Sequence, residues 1–228
     1  MGPLKDIKIF DLTRVLAGPH CTQILGDLGA DIIKVERVEN GDDTRKFAPP
    51  FMKDENGNDT DQSAYFSGTN RNKRSITLNL NSPEGQDIAK QLIAKSDILV
   101  ENFKVGTLEK YGLDYDTLKN EFPSLIYCSI TGFGQTGPYS KRPAYDALVQ
   151  AMGGVMSLTG DAKGEPMKVG VSIADLMAGM YGTVSILAAL RHRDKTNEGQ
   201  HLDISMLDAH VAWLANQGMN YLATNENP

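Results

Sequence analysis

Two short apolar runs, residues 7–12 and 31–36 (DIIKVE), flank a segment whose apolar residues recur at helical spacing from 17 to 28 and stop at Gly29. Glycine at that position is a usual helix terminator. A strand, a helix and a second strand in this order make a β-α-β unit, whose strands are parallel with a right-handed crossover. A parallel sheet has to be covered on both faces, so the remaining chain must supply further strands and helices for both sides. Strand signals return at 75–80, with alternating Ile76, Leu78 and Leu80, at 97–101 (DILVE) and at 125–130 (LIYCSI). Between them Ser82-Pro83-Glu84 sets a cap residue before a proline at the first helical position, opening a helix to about Lys95. Shorter helical stretches fall near 105–111 and 115–121. The alternation predicts an α/β chain with a Rossmann-like, doubly wound, mostly parallel sheet.

Residues 37–69 are polar and carry the turn signals Asn40-Gly41, Pro49-Pro50 and Asn56-Gly57. They read as a long unstructured segment, functional or mobile. A glycine- and proline-rich loop at 131–143 precedes a helix at about 145–152. Residues 172–191 read as a long buried helix with Ala174, Ala178, Gly179 and Gly182 on its face, followed by a strand at 201–206 and a helix at 207–222. Residues 1–190 are expected to form one large domain. Residues 191–228 are expected to be a linking strand and helix leading to a second, smaller domain, the polar end at 225–228 having no closing element.

The net charge of -6 argues against a nucleic-acid partner. Cys21 and Cys128 form no CxxC or metal pattern and read as reduced core thiols, as in an intracellular compartment. No apolar run approaches the roughly 18 residues of a membrane span. The start lacks a signal-peptide core. The expectation is a cytoplasmic protein, or one of the mitochondrial matrix if a presequence precedes residue 1.

A Rossmann-like start with Glu36 closing the second strand invites a dinucleotide reading. That reading needs G-x-G-x-x-G after the first strand, and residues 11–19 (DLTRVLAGP) hold one glycine. A Walker loop and a GxSxG elbow are also absent, and the four histidines have no metal spacing. Phosphate could be held by arginines instead. Arg37 follows a strand end, where ligands of α/β sheets gather, and Asn70-Arg71-Asn72-Lys73-Arg74 precedes a strand. For both, a solvated loop charge is an equal alternative, and for Arg45 it is the better one. Asp175 lies at the start of the long helix, whose positive end would keep the carboxylate ionised and nucleophilic. Ser172-x-x-Asp175 equally resembles a capping box, and the residues alone favour the cap. Asp146, at another helix start, is open to the same two readings.

Taken in order, the stretches 11–19 (DLTRVLAGP), 26–31 (GDLGAD), 33–37 (IKVER), 41–45 (GDDTR), 70–75 (NRNKRS), 100–103 (VENF), 129–134 (SITGFG), Tyr145-Asp146 and the segment around Asp175 resemble the family III CoA-transferases. The resemblance spans nearly the whole chain. It implies that Asp175 forms an aspartyl-CoA thioester, that Arg37, Asn72, Lys73, Arg74 and Asn102 hold CoA, and that Tyr145 lines the active site. It implies acyl-CoA and a carboxylic acid as substrates, with no permanently bound cofactor, no metal and an interlocked homodimer. Racemases of the family place a histidine where this chain has Tyr145, which favours transfer over α-proton exchange. Formyl-CoA transferase places a glutamine where this chain has Leu16. The chain looks most similar to the dicarboxylate (succinyl-CoA:glutarate) type, where Arg14 could pair with a distal carboxylate. A racemase, or a non-catalytic CoA-binding or dimerisation module, are the alternative readings.

Overall fold

The computed structural model describes residues 2–161 and 163–228. Its first half runs β1 (Lys8–Asp11), α1 (Ala17–Asp27), β2 (Asp31–Glu36), β3 (Phe51–Lys53), β4 (Asp59–Ser63), α2 (Ala64–Asn70), β5 (Lys73–Thr77) and α3 (Pro83–Ile93). The second half runs β6 (Ile98–Glu101), α4 (Tyr115–Glu121), β7 (Ile126–Thr131), α5 (Asp146–Met152), α6 (Ile173–Thr196), β8 (His201–Ser205), α7 (Met206–Ala212) and α8 (Ala215–Thr224). Six strands make one sheet in the order β5-β2-β1-β6-β7-β8, with every pairing parallel. The chain winds outward from β1 in one direction, then restarts at β6 and winds in the other. Their carboxyl ends therefore diverge, and a crevice opens between them, as in the doubly wound folds.

The apolar runs of the sequence are explained by burial on both faces. Ile9, Ile98, Ile126 and Cys128 enter one core cluster, which α1 and α6 cover through Cys21, Leu25, Ala178 and Ile186. Their strand neighbours Phe10, Leu99 and Tyr127 enter the other, covered by Ala89 and Ile93 of α3 and Leu118 of α4. Two glycines let α6 lie close on α1. A β-carbon at Gly179 would meet the Ala17 carbonyl oxygen at 2.6 Å, and one at Gly182 would meet Cys21 Sγ at 3.3 Å.

Four sequence expectations need correction. Residues 37–69 are not a bare loop: they hold a 3-10 turn at Asp43–Lys46, the antiparallel pair β3–β4 and α2. The strand at 201–205, expected as part of a linking strand and helix at 191–228, is β8, which pairs with β7 along its whole length. The last helix is two, broken where Ala215 takes φ 48°. Finally, α6 is long and apolar enough by composition to cross a membrane, with mean hydropathy 1.6. Here nine of its residues, from Ile173 to Leu190, are buried against the sheet and α1, which accounts for its apolarity as a core helix. Its opposite side leaves Met180, Val184 and Leu187 exposed, and α8 leaves Met219 and Leu222 exposed.

One acid is buried at the end of β6. Glu101 accepts a hydrogen bond from the Phe103 N–H at 2.8 Å and lies beside Ser129. Burial, against the opposing pull of Ser129, pushes its carboxyl up to about 7. The folded chain thus binds this proton more tightly than the unfolded chain does. The associated stability is complete below the ordinary carboxyl value of 4.5 and is lost as pH rises through about 7. Glu101→Gln, which keeps the shape and stays neutral, should gain on the parent by on the order of 2–3 kcal/mol between about pH 5 and about pH 8. Thermal melts at the two pH values check this; a variant that loses ground at the higher pH would contradict it.

Candidate active site

The crevice between β1 and β6 is tied across its mouth by one side chain. The Asn102 amide donates to the Arg14 carbonyl at 2.7 Å, and its oxygen accepts the Arg14 N–H at 2.9 Å. Beneath this clamp lies a cleft of about 220 Å³ that Arg14, Leu16, Asn102, Arg142, Tyr145 and Asp175 help to line. Tyr145 stands at its rim, 76 % exposed, so it is open to an incoming ligand.

Asp175 reaches the cleft from the first turn of α6. It is not held in a capping box: Ser172 makes no side-chain cap, and the Ala174 N–H is taken by Asp146 of α5 at 2.9 Å. Asp146 also accepts from Gln150 Nε2 at 2.7 Å. With the helix start capped from outside, the Asp175 carboxyl is released to accept the backbone N–H of Ala17, the first residue of α1. Leu16, the residue before it, offers no side-chain cap to α1. The acid therefore faces the positive ends of two helices. Even so, burial, followed by the charge of Asp146, pushes its carboxyl up to about 7. This corrects the expectation that helix dipoles alone hold it fully ionised: desolvation outweighs them. A carboxyl poised there is a stronger base and nucleophile, once ionised, than one of ordinary value.

A second cavity, of about 290 Å³, adjoins the first along Arg14 and Phe103 and is lined by Arg37, Val38, Asn79 and Tyr111. The Arg14 and Arg37 guanidinium groups share the carboxylate of Asp43, Arg14 at 3.5 Å. Arg14 also lies over the Phe103 ring at 5.2 Å, and its buried Nε has no hydrogen-bond partner among the described residues. Two cations against one carboxylate leave this wall net positive, suited to an anionic ligand.

The structure thus gathers Arg14, Leu16, Asn102, Tyr145 and Asp175 at one cleft, with Arg37 in the cavity beside it. It places Asn72, Lys73 and Arg74 elsewhere, Asn72 just before β5 and the other two at the amino end of that strand. Asn72 donates to Asp27 at 2.7 Å, and Arg74 is paired with Asp31. Lys73 spends its three donors on Pro19 O, Asn70 Oδ1 and Asp11, at 2.9, 3.0 and 3.2 Å. Arg45, expected as a solvated loop charge, keeps its side chain 41% exposed but is ion-paired. It grips Glu36 with two 2.7 Å bonds and lies over the Phe66 ring at 3.7 Å. Glu36 is thereby occupied, which removes the acid a dinucleotide ribose would need.

Sequence reasoning missed Arg142, Lys104 and the Ala17 N–H. Arg142 and Lys104 also line the cleft and have no carboxylate partner among the described residues. No motif marks them; their place was hidden in the loops 102–107 and 132–145.

Comparisons with known proteins agree on one family. The model described as "CoA-transferase family III" matches residues 4–228. Succinate--glutarate CoA-transferase of Agrobacterium fabrum is 51% identical over 99% of this chain and 56% of its own length. Succinyl-CoA:glutarate CoA-transferase of Homo sapiens is 47% identical over 96% of this chain and 49% of its own length. The crystal structure of a CAIB/BAIF family protein from Brucella suis superposes with a TM-score of 0.94 at 51% identity, covering 100% of this chain and 59% of that one. The chain spans about half the length of the curated relatives it matches.

Proposed function

Since the chain belongs to CoA-transferase family III, we propose that it carries the nucleophile and much of the CoA site of an enzyme that moves CoA between carboxylic acids. The donor and acceptor we assign are succinyl-CoA and a dicarboxylate such as glutarate, the pair named in the relatives at 47–51% identity. The observation that carries this reading is Asp175: a carboxyl on the wall of the cleft, aimed by the Ala17 N–H and poised at about 7.

In the proposed cycle one Asp175 oxygen attacks the thioester carbonyl, forming a mixed anhydride and releasing CoA thiolate. The thiolate then attacks the aspartyl carbonyl, expels the donor acid and leaves CoA on the enzyme as a thioester. An acceptor carboxylate runs the two steps in reverse and departs as the new acyl-CoA. Each bond broken has a stabilised leaving group, which is what covalent capture provides. Arg37 is assigned to the nucleotide end of CoA, and Asn102 and Tyr145 to its approach to Asp175. Arg14 is assigned to the distal carboxylate of the acid, through the guanidinium whose Nε lacks a partner among the described residues. Leu16 would supply apolar contact beside it. Lys73 is assigned to the fold, and the exposed Asn72 and Arg74 to outlying contacts with CoA.

The nucleophile must be ionised, so kcat/KM should rise with pH and level off above about 7. Asp146→Asn keeps an oxygen for the Ala174 N–H but removes the neighbouring charge, and should move this rise to lower pH by about one unit. A pH–rate series on both forms checks the pair of statements; a pH-independent rate in the parent would contradict the first. The function itself is tested with succinyl-CoA and a panel of mono- and dicarboxylates, using protein of full family length. Exchange that prefers dicarboxylates supports the reading. CoA binding without exchange would point to a non-catalytic module, and α-proton exchange without an acceptor to a racemase.

A further inference from the structure

Val15 takes φ 69° in the loop between β1 and α1. Among the described residues, the others with positive φ, glycines aside, are three asparagines, a glutamate and an alanine. A β-branched side chain in the left-handed region is strained, and such strain persists only where surrounding structure enforces it.

The enforcing structure is a buried pair of charges. Asp42 Oδ1 accepts the Val15 N–H at 3.3 Å and is steadied by the Thr44 N–H and hydroxyl at 3.0 and 2.8 Å. Asp42 Oδ2 receives Lys34 Nζ at 2.8 Å, and the same ammonium donates to the Thr13 carbonyl at 2.8 Å. The two side chains are 1% and 0% exposed. Lys34 thus grips the backbone two residues before Val15, Asn102 grips it one residue before, and Asp42 grips Val15 itself. Two residues further on, the Ala17 N–H meets Asp175.

We propose that the Lys34–Asp42 pair is a positioning device, which holds Val15 left-handed so that the Ala17 N–H faces the Asp175 carboxyl. The inference rests on the reading of Asp175 as the nucleophile. With Val15 relaxed to negative φ, the peptide that follows it turns and the start of α1 shifts relative to α6. Asp175 then loses both its aim and the donor that favours its ionised form. A glycine at position 15 would reach the same conformation without strain; with valine there, the buried charges have to supply the constraint.

The test uses protein of full family length, with kcat, both KM values and the pH–rate profile as readouts. Asp42→Asn should lower kcat by about 10- to 100-fold, the scale of a misplaced reacting group, with little change in either KM. Its acid limb should move to higher pH. Adding Val15→Gly should restore kcat by about fivefold or more, because glycine accepts positive φ unaided. A purely structural pair would give neither the shifted limb nor the rescue. Should Asp42→Asn fail to fold, Val15→Pro makes the same test, since its ring fixes φ near about -65°; the same fall in kcat is expected. An unchanged kcat in Asp42→Asn or Val15→Pro, or a loss that glycine does not relieve, overturns the proposal. If the parent itself shows no exchange, the reading of Asp175 has failed, and the two failures are told apart.

Discussion

Asparagine in place of Asp175 is expected to reduce CoA exchange by on the order of 10⁴-fold or more, the scale seen when a covalent nucleophile is removed. The change is conservative in every other respect. The amide oxygen still accepts the Ala17 N–H, so α1 and α6 keep their contact. The loss should fall on kcat, with substrate binding retained. Stability should not suffer and should rise above about pH 7, because the parent loses the stability of its raised carboxyl as pH climbs through that value. Steady-state exchange rates beside thermal melts test both halves. An Asp175→Asn protein that exchanges CoA within tenfold of the parent rate would exclude this residue as the nucleophile.

The second large effect is on stability and concerns Lys73. Its side chain is 1% exposed and paired with Asp11, which is fully buried and also bound by the hydroxyls of Thr13 and Thr22. Burial draws the ammonium down to about 8 against the pull of Asp11, so it is still mostly charged at neutral pH. Lys73→Met removes the nearest cation from a buried carboxylate and should cost about 3–5 kcal/mol. For a chain of this size that corresponds to a fall in Tm of about 10 °C or more. Adding Asp11→Asn, which removes the stranded charge, should recover part of the loss. The opposite pattern, an unchanged Tm with a raised KM for the CoA thioester, would show that Lys73 serves the ligand and not the fold.

The parallel strands were legible because burial on both faces leaves little choice of residue. Ile9 and Phe10 point to opposite sides and are both apolar, and so are Ile98 and Leu99. The 37–69 segment was misread for the converse reason. β3 and β4 lie outside the main sheet, with mostly exposed side chains, so no alternation betrays them. The break between α7 and α8 falls at Trp213, Leu214 and Ala215, none of them a glycine or proline. At the site, Arg14, Leu16, Asn102, Tyr145 and Asp175 line one cleft although they lie far apart in the sequence. The balance between cap and nucleophile could not be read locally, because the group that caps α6 is Asp146, 28 residues before Ala174. The charge cluster at 70–74 was ambiguous for a related reason. Its partners Asp11, Asp27 and Asp31 come from other elements, and only the fold brings them together.

The central claim is that Asp175 becomes covalently bound to CoA. Protein of full family length, incubated with succinyl-CoA, quenched in acid and digested, can be read by mass spectrometry peptide by peptide. The account predicts one CoA adduct, confined to the peptide carrying Asp175, lost on adding glutarate and absent from Asp175→Asn. An exchanging enzyme whose adduct sits on another residue, or which forms none under the same quench, would contradict it.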